Sequence, residues 1–164
     1  MIPESRVTSH VIGRVAAILA IAGMLASTPV HAAVTFKRGF LTITQGQARA
    51  FLNVEVADTP ESRALGLGNR ASLASNSGML FVFDTTGIWA FWMKDTLIPL
   101  TVAFIDEQWE IVELIDMAVA KDPQNGPFEI YKPAKTSHYA LEVNQGFFPR
   151  KNLTVGAKVV YTLK

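Results

Sequence analysis

Apolar and polar residues alternate cleanly from Ala48 to Ala57, with Ala50, Leu52, Val54 and Val56 on one face and Arg49, Asn53 and Glu55 on the other. A period of two predicts a half-buried strand. Asp58-Thr59-Pro60-Glu61 follows, placing a capping residue, a proline and an acid where a helix begins, and Gly66 and Gly68 keep that helix short. Met79 to Phe83 and Ile88 to Lys94 read as two strands joined by the turn-rich tetrad Asp84-Thr85-Thr86-Gly87. Thr101 to Ile105 and Trp109 to Leu114 read as a second hairpin across Asp106-Glu107-Gln108.

The segment from Ala118 to Ser137 breaks the pattern. It holds Pro123, Pro127, Pro133 and Asn125-Gly126 with no sustained period, and loops above about 12–15 residues are uncommon and often functional. Alternation resumes from His138 to Val143, with Tyr139, Leu141 and Val143 inward. Asn144 is placed to cap a short turn through Gly146, and Ala157 to Leu163 reads as a final strand. About eight short strands with one or two helical turns predict a mainly β fold, a small β-sandwich or partly closed barrel.

Residues 1–32 follow a different pattern. Arg6 and Arg14 precede the apolar run Val15 to Ala26, Ser27-Thr28-Pro29 breaks it, and Val30-His31-Ala32 has the form of an A-x-A-like cleavage site. This order predicts a signal peptide cut near Ala32/Ala33, and hence a periplasmic or secreted protein. An uncleaved membrane anchor is the alternative. The run holds 12 residues, however, against roughly 20 for a spanning helix, and extending it backward carries Arg14 into the bilayer. Arg6 and Arg14 are not adjacent, so a twin-arginine route has no support.

Cleavage leaves residues 33–164 as one domain with 13 basic and 13 acidic residues, and His138 as its single histidine. The full chain has 164 residues, a net charge of +1, 49% apolar residues and no cysteine. Near-neutral charge predicts no nucleic-acid partner. The lack of cysteine excludes disulfides, thiolate metal sites and a cysteine nucleophile. No Gly-x-Ser-x-Gly elbow, His-Glu-x-x-His or phosphate loop occurs. No cofactor or metal is expected, and a monomer is.

Gly78-Met79-Leu80-Phe81-Val82-Phe83, Phe91-Trp92-Met93-Lys94-Asp95-Thr96-Leu97-Ile98-Pro99-Leu100 and Ala103-Phe104-Ile105-Asp106, with Arg63, Gly66, Leu67 and Arg70 upstream and Tyr139 to Phe148 downstream, carry a resemblance. Over about residues 50–163 the chain resembles the domain of unknown function 192 family of bacteria and archaea. The resemblance implies a compact, mainly β, often exported domain and no assigned activity. Gly68 stands where relatives commonly have Met, and Asp95 where they commonly have Asn.

Read as a strand, Phe91 to Thr96 puts Trp92, Lys94 and Thr96 on one face and Phe91, Met93 and Asp95 on the other. The candidate ligand-binding residues are Arg63, Trp92, Lys94, Asp95, Glu142 and Asn144. Arg63 offers a planar fork to a carboxylate, Trp92 an aromatic wall, Lys94 a cation, and Glu142 and Asn144 polar groups on the face opposite Leu141 and Val143. Such a mixture suits a small polar or zwitterionic ligand, and equally a structural ion pair of Glu142 with Lys94 or Arg63. Three sharper alternatives are a Cu(I) site of Met79, Met93, Met117 and His138, an Asp95–Glu142 carboxylate pair, and Trp89 and Trp109 stacking on sugar. The function expected is an exported, non-catalytic module binding a small ligand or an envelope protein; the alternative is an envelope hydrolase or transferase using Glu142 and Lys94.

Overall fold

A computed structural model describes residues 33–164; the expected signal peptide lies outside the described residues. The fold is mainly β, as the alternation predicts. Its order is β1 (Lys37–Gln45), β2 (Ala48–Ala57), α1 (Pro60–Leu65), β3 (Ser77–Gly87), β4 (Phe91–Trp92), β5 (Leu100–Ile105), β6 (Ile111–Met117), β7 (Ile130–Tyr131), β8 (Ser137–Asn144), α2 (Phe147–Arg150) and β9 (Lys158–Leu163). Seven strands form one mixed sheet in the order β6-β5-β8-β3-β2-β1-β9, and β4 and β7 form a separate ribbon. The sheet is not closed into a barrel, although its two outer strands approach at one end through a Glu110–Lys158 bridge.

Each sheet face carries its own core. Leu41, Ile43, Leu52, Val54, Leu80, Ala103, Leu141 and Val143 pack with Val159 of the edge strand β9 and with Phe147 and Phe148 of α2. On the other face, Met79, Phe81, Phe83, Val102, Phe104 and Ala140 meet Leu67, Met93, Met117 and Tyr131. The central strands are therefore apolar on both sides, as strands covered on both faces must be. Among the described residues no helix is long and apolar enough to cross a membrane.

Strand β2 and helix α1 match their sequence pattern closely. Ala50, Leu52, Val54 and Val56 are all buried. Thr59 caps α1, exchanging bonds with Ser62 in a capping box with Pro60 in the first turn, and Gly66 ends the helix at φ 50°. The β5–β6 hairpin forms where predicted, with Asp106 Oδ1 accepting from the amides of Gln108 and Glu110.

Four expectations are corrected. The tetrad Asp84 to Gly87 does not turn into a hairpin: β3 continues through it, pairing with β8 and, in parallel, with β2. Only Phe91 and Trp92 of the expected next strand are extended, and they pair with Tyr131 and Ile130 inside the proline-rich segment. Lys94 and Asp95 form a turn, with Asp95 at φ 54°, so the two-faced strand from Phe91 to Thr96 does not exist. Asn144 does not cap the following turn; Gly146 in left-handed geometry precedes α2. Strand β1, whose Leu41 and Ile43 face the core, is an element the periodicity reading omitted.

Candidate functional site

Four of the six candidate residues meet around one cavity of about 130 Å³. Arg63 reaches it from α1, Trp92 from β4, Lys94 from the following turn and Glu142 from β8, with Thr96, Phe81, Phe83 and Trp89 among the other lining residues. The chain brings them together because α1 and the Trp89–Thr96 segment both lie over the same face of the central strands. The Lys94 turn is pinned on both sides: Asp95 donates its amide to Pro123 O (2.6 Å) and accepts from Asn69 N at its carbonyl (2.7 Å). Thr96 Oγ1 donates to Lys94 O at 3.1 Å.

Glu142 is the unusual member. It sits in the middle of the sheet at 5% exposure, directly opposite Met79 on β3 and Val102 on β5. Its carboxyl makes no hydrogen bond or ion pair among the described residues, so the structural pairing with Lys94 or Arg63 does not form. Burial beside apolar neighbours pushes the carboxyl up to about 8. At neutral pH Glu142 is therefore mostly a neutral carboxylic acid, a donor as well as an acceptor.

The cations around it are held differently. Arg63 Nη1 donates to Val82 O at 2.7 Å, where the β3–β8 register breaks, and Nη2 reaches Asp84 at 3.4 Å. Its guanidinium also lies 5.9 Å from the Phe83 ring centroid. Arg63 is thus largely committed to the fold, whereas Lys94 is exposed and makes no ion pair among the described residues. Trp92 is 53% exposed and meets Phe128 edge-on. It forms a wall of the cavity and not part of the core; Met93, beside it, is buried.

Two candidates lie elsewhere. Asn144 Nδ2 donates to Leu73 O (2.8 Å) and Ala74 O (3.3 Å), tying β8 to the segment before β3. Asp95 contributes its backbone to the clamp just described, and its carboxylate does not line the cavity with Glu142. Of the sharper alternatives, Met79, Met93 and Met117 are buried core residues. His138 lies four positions from Glu142 along β8, roughly 13 Å at strand rise, with Nδ1 3.2 Å from Thr86 Oγ1. Trp109 stacks on Tyr139 at 3.9 Å and Trp89 on Phe83 at 4.3 Å, so both indoles spend a face inside the protein. The Phe83–Trp89 stack is a wall of the cavity that local pattern could not reveal, because it depends on β3 running past its expected turn.

Comparison with known proteins agrees with this architecture. The chain superposes on a crystal structure of a candidate transcription regulator from Sinorhizobium meliloti 1021 with a TM-score of 0.71 and 26% identity, covering 79% of this chain and 97% of that one. It also matches a protein of unknown function from Novosphingobium aromaticivorans DSM 12444, with a TM-score of 0.66 and 26% identity, covering 81% and 89%. No protein with a curated description matches the chain. The family model described as Uncharacterized ACR spans residues 41–161, from the first core residues of β1 to Tyr161 of β9, and the chain belongs to this family, the domain of unknown function 192.

Proposed function

We propose that the protein is an exported, non-catalytic module that binds a small polar or zwitterionic ligand in the Glu142 cavity. The observation that carries this reading is Glu142 itself: a buried carboxyl, without a partner among the described residues, lining a cavity that Lys94 also lines. Buried polar groups are ordinarily hydrogen-bonded, and in the same lining Trp89 Nε1 is buried without a partner among the described residues. A ligand offering an ammonium or hydroxyl to Glu142 and a carboxylate to Lys94 would satisfy both groups. Phe81, Phe83, Trp89 and Trp92 supply aromatic walls beside polar groups that can fix a ligand's orientation. The volume favours a compact ligand, well below the roughly 300–1,000 Å³ of drug-sized pockets.

An envelope hydrolase or transferase is the second reading. It draws on the raised Glu142 carboxyl, which keeps a proton at neutral pH as a general acid must. Glu142 is the single carboxyl among the cavity's lining residues, which deprives the glycosidase form of this reading of its second acid.

Native mass spectrometry of protein purified from its own host tests the binding reading. A small-molecule adduct that disappears in Glu142→Gln supports it. Wild-type protein free of any adduct, or an adduct unaffected by Glu142→Gln, contradicts it.

A further inference from the structure

A second cleft, of about 400 Å³, lies where the segment after α1 crosses β1, β2 and the start of β3, and Arg38, Asn53, Glu55, Arg70, Ser77 and Lys164 line it. The charges there form a row across three strands. Arg38 stands opposite Glu55 in the β1–β2 register. On its other side, Lys164 donates its backbone amide to Arg38 O at 3.1 Å, continuing the β9–β1 ladder. Arg70 lies against the row from above, with Nη1 2.5 Å from Glu55 Oε2.

Three side-chain cations therefore stand around one side-chain carboxylate, Glu55, which pairs with Arg70, while the Lys164 ammonium lies 5.8 Å from the Phe40 ring centroid. Arg38 sits beside Glu55 yet makes no ion pair with it; among the described residues neither Arg38 nor Lys164 has an acidic partner. Arg38 and Lys164 are exposed like charges on adjacent strands, and an anion in the cleft would relieve their mutual repulsion. The Arg70–Glu55 pair is half-buried and holds the Arg70 guanidinium at the wall, with its remaining N–H groups available. Asn53 and Ser77 add hydrogen-bonding side chains. The cleft falls within the roughly 300–1,000 Å³ range of small-molecule sites, and it is distinct from the Glu142 cavity in its lining and in its charge.

We propose that this cleft is a binding site for a compact dianion, carrying phosphate or carboxylate oxygens, held by Arg38, Arg70 and Lys164. Guanidinium groups match both oxyanions in bidentate geometry, so the shared chemistry is the oxyanion pair. Glu55 opposes such a ligand by its own charge while orienting Arg70, so its removal and the removal of a cation should act in opposite directions. Nothing in this inference depends on the Glu142 cavity.

The test is an amide NMR titration of the purified protein at low salt with inorganic phosphate and, separately, with succinate. Saturable shifts centred on Arg38, Glu55 and Ser77 are expected from at least one of them. Saturation by phosphate alone points to a phosphate-bearing ligand, by succinate alone to a dicarboxylate, and by both to the common oxyanion chemistry. Arg38→Gln should weaken binding roughly tenfold or more, the scale of one charged hydrogen bond. Glu55→Gln should tighten it several-fold, and Lys151→Gln, which removes a positive charge outside the cleft's lining, should leave it unchanged. Arg38 makes no side-chain hydrogen bond among the described residues, so its variant tests the site even if Glu55→Gln unfolds. Shifts that never saturate with either anion, or an equal loss in Arg38→Gln and Lys151→Gln, would overturn the proposal.

Discussion

Glu142 of β8 faces Met79 of β3 across an antiparallel ladder, an acid set directly against a fully buried thioether. With Val102 on its other side, the carboxyl has apolar neighbours on both flanking strands, and its folded-state proton affinity rises for that reason alone.

Stability should therefore depend on pH in a definite direction. Below its ordinary value near 4.5 Glu142 is protonated in both folded and unfolded chains, and burial of the neutral acid is at its most favourable. Between there and about 8 the unfolded chain loses the proton while the folded chain keeps it, so stability falls as pH rises and levels off above that range. At about 1.36 kcal/mol per pH unit the loss amounts to a few kcal/mol. Glu142→Gln should remove this component, leaving the variant within about 1 kcal/mol of wild type at pH 5 and more stable at pH 9. Urea unfolding curves for both proteins across that range check it; parallel profiles would contradict it.

Arg63 should behave as a structural residue that happens to border the cavity. Removing it strands the Val82 carbonyl where the β3–β8 register breaks. Arg63→Ala should cost about 1–3 kcal/mol in denaturant unfolding. A change smaller than about 0.5 kcal/mol would show that the Val82 contact contributes little.

Asn144→Ala should separate architecture from binding. Losing the bonds to Leu73 and Ala74 should lower stability by about 1–2 kcal/mol while leaving any small-molecule adduct in place. An adduct lost at unchanged stability would return Asn144 to the ligand site.

Export has its own test. Protein isolated from the cell envelope should begin at or near Ala33, as the Arg14, Val15–Ala26 and Val30-His31-Ala32 order predicts. An intact Met1 terminus in a washed membrane pellet would establish the anchor instead.

Strands written in local alternation are legible: β2 shows its buried face residue by residue, and the capping residue, proline and acid of Asp58 to Glu61 mark the start of α1. Partners were not legible, because a period of two identifies a strand without saying which strand lies beside it. The parallel β2–β3 pairing and the β4–β7 ribbon are both long-range contacts of this kind. Asp84 to Gly87 has turn chemistry, yet β3 keeps going, with Gly87 paired to Ser137 beyond a bulge and Phe83 stacked on Trp89. The cavity was half legible. Arg63, Trp92, Lys94 and Glu142 do converge, but by the left-handed turn at Asp95 and not by the strand face once expected to align Trp92 with Lys94. Asp95 and Asn144 were misplaced because a polar side chain in a motif reads the same whether it faces a ligand or ties down a neighbouring loop.

The central claim is that Glu142 is a neutral, unpartnered acid facing a cavity. Carbon-13 NMR of the Glu142 side-chain carboxyl, followed from pH 3 to 10, measures this directly. A midpoint near 8 is the predicted result. A midpoint at or below the ordinary 4.5 would mean that a cation holds the carboxylate ionised, and would contradict the account.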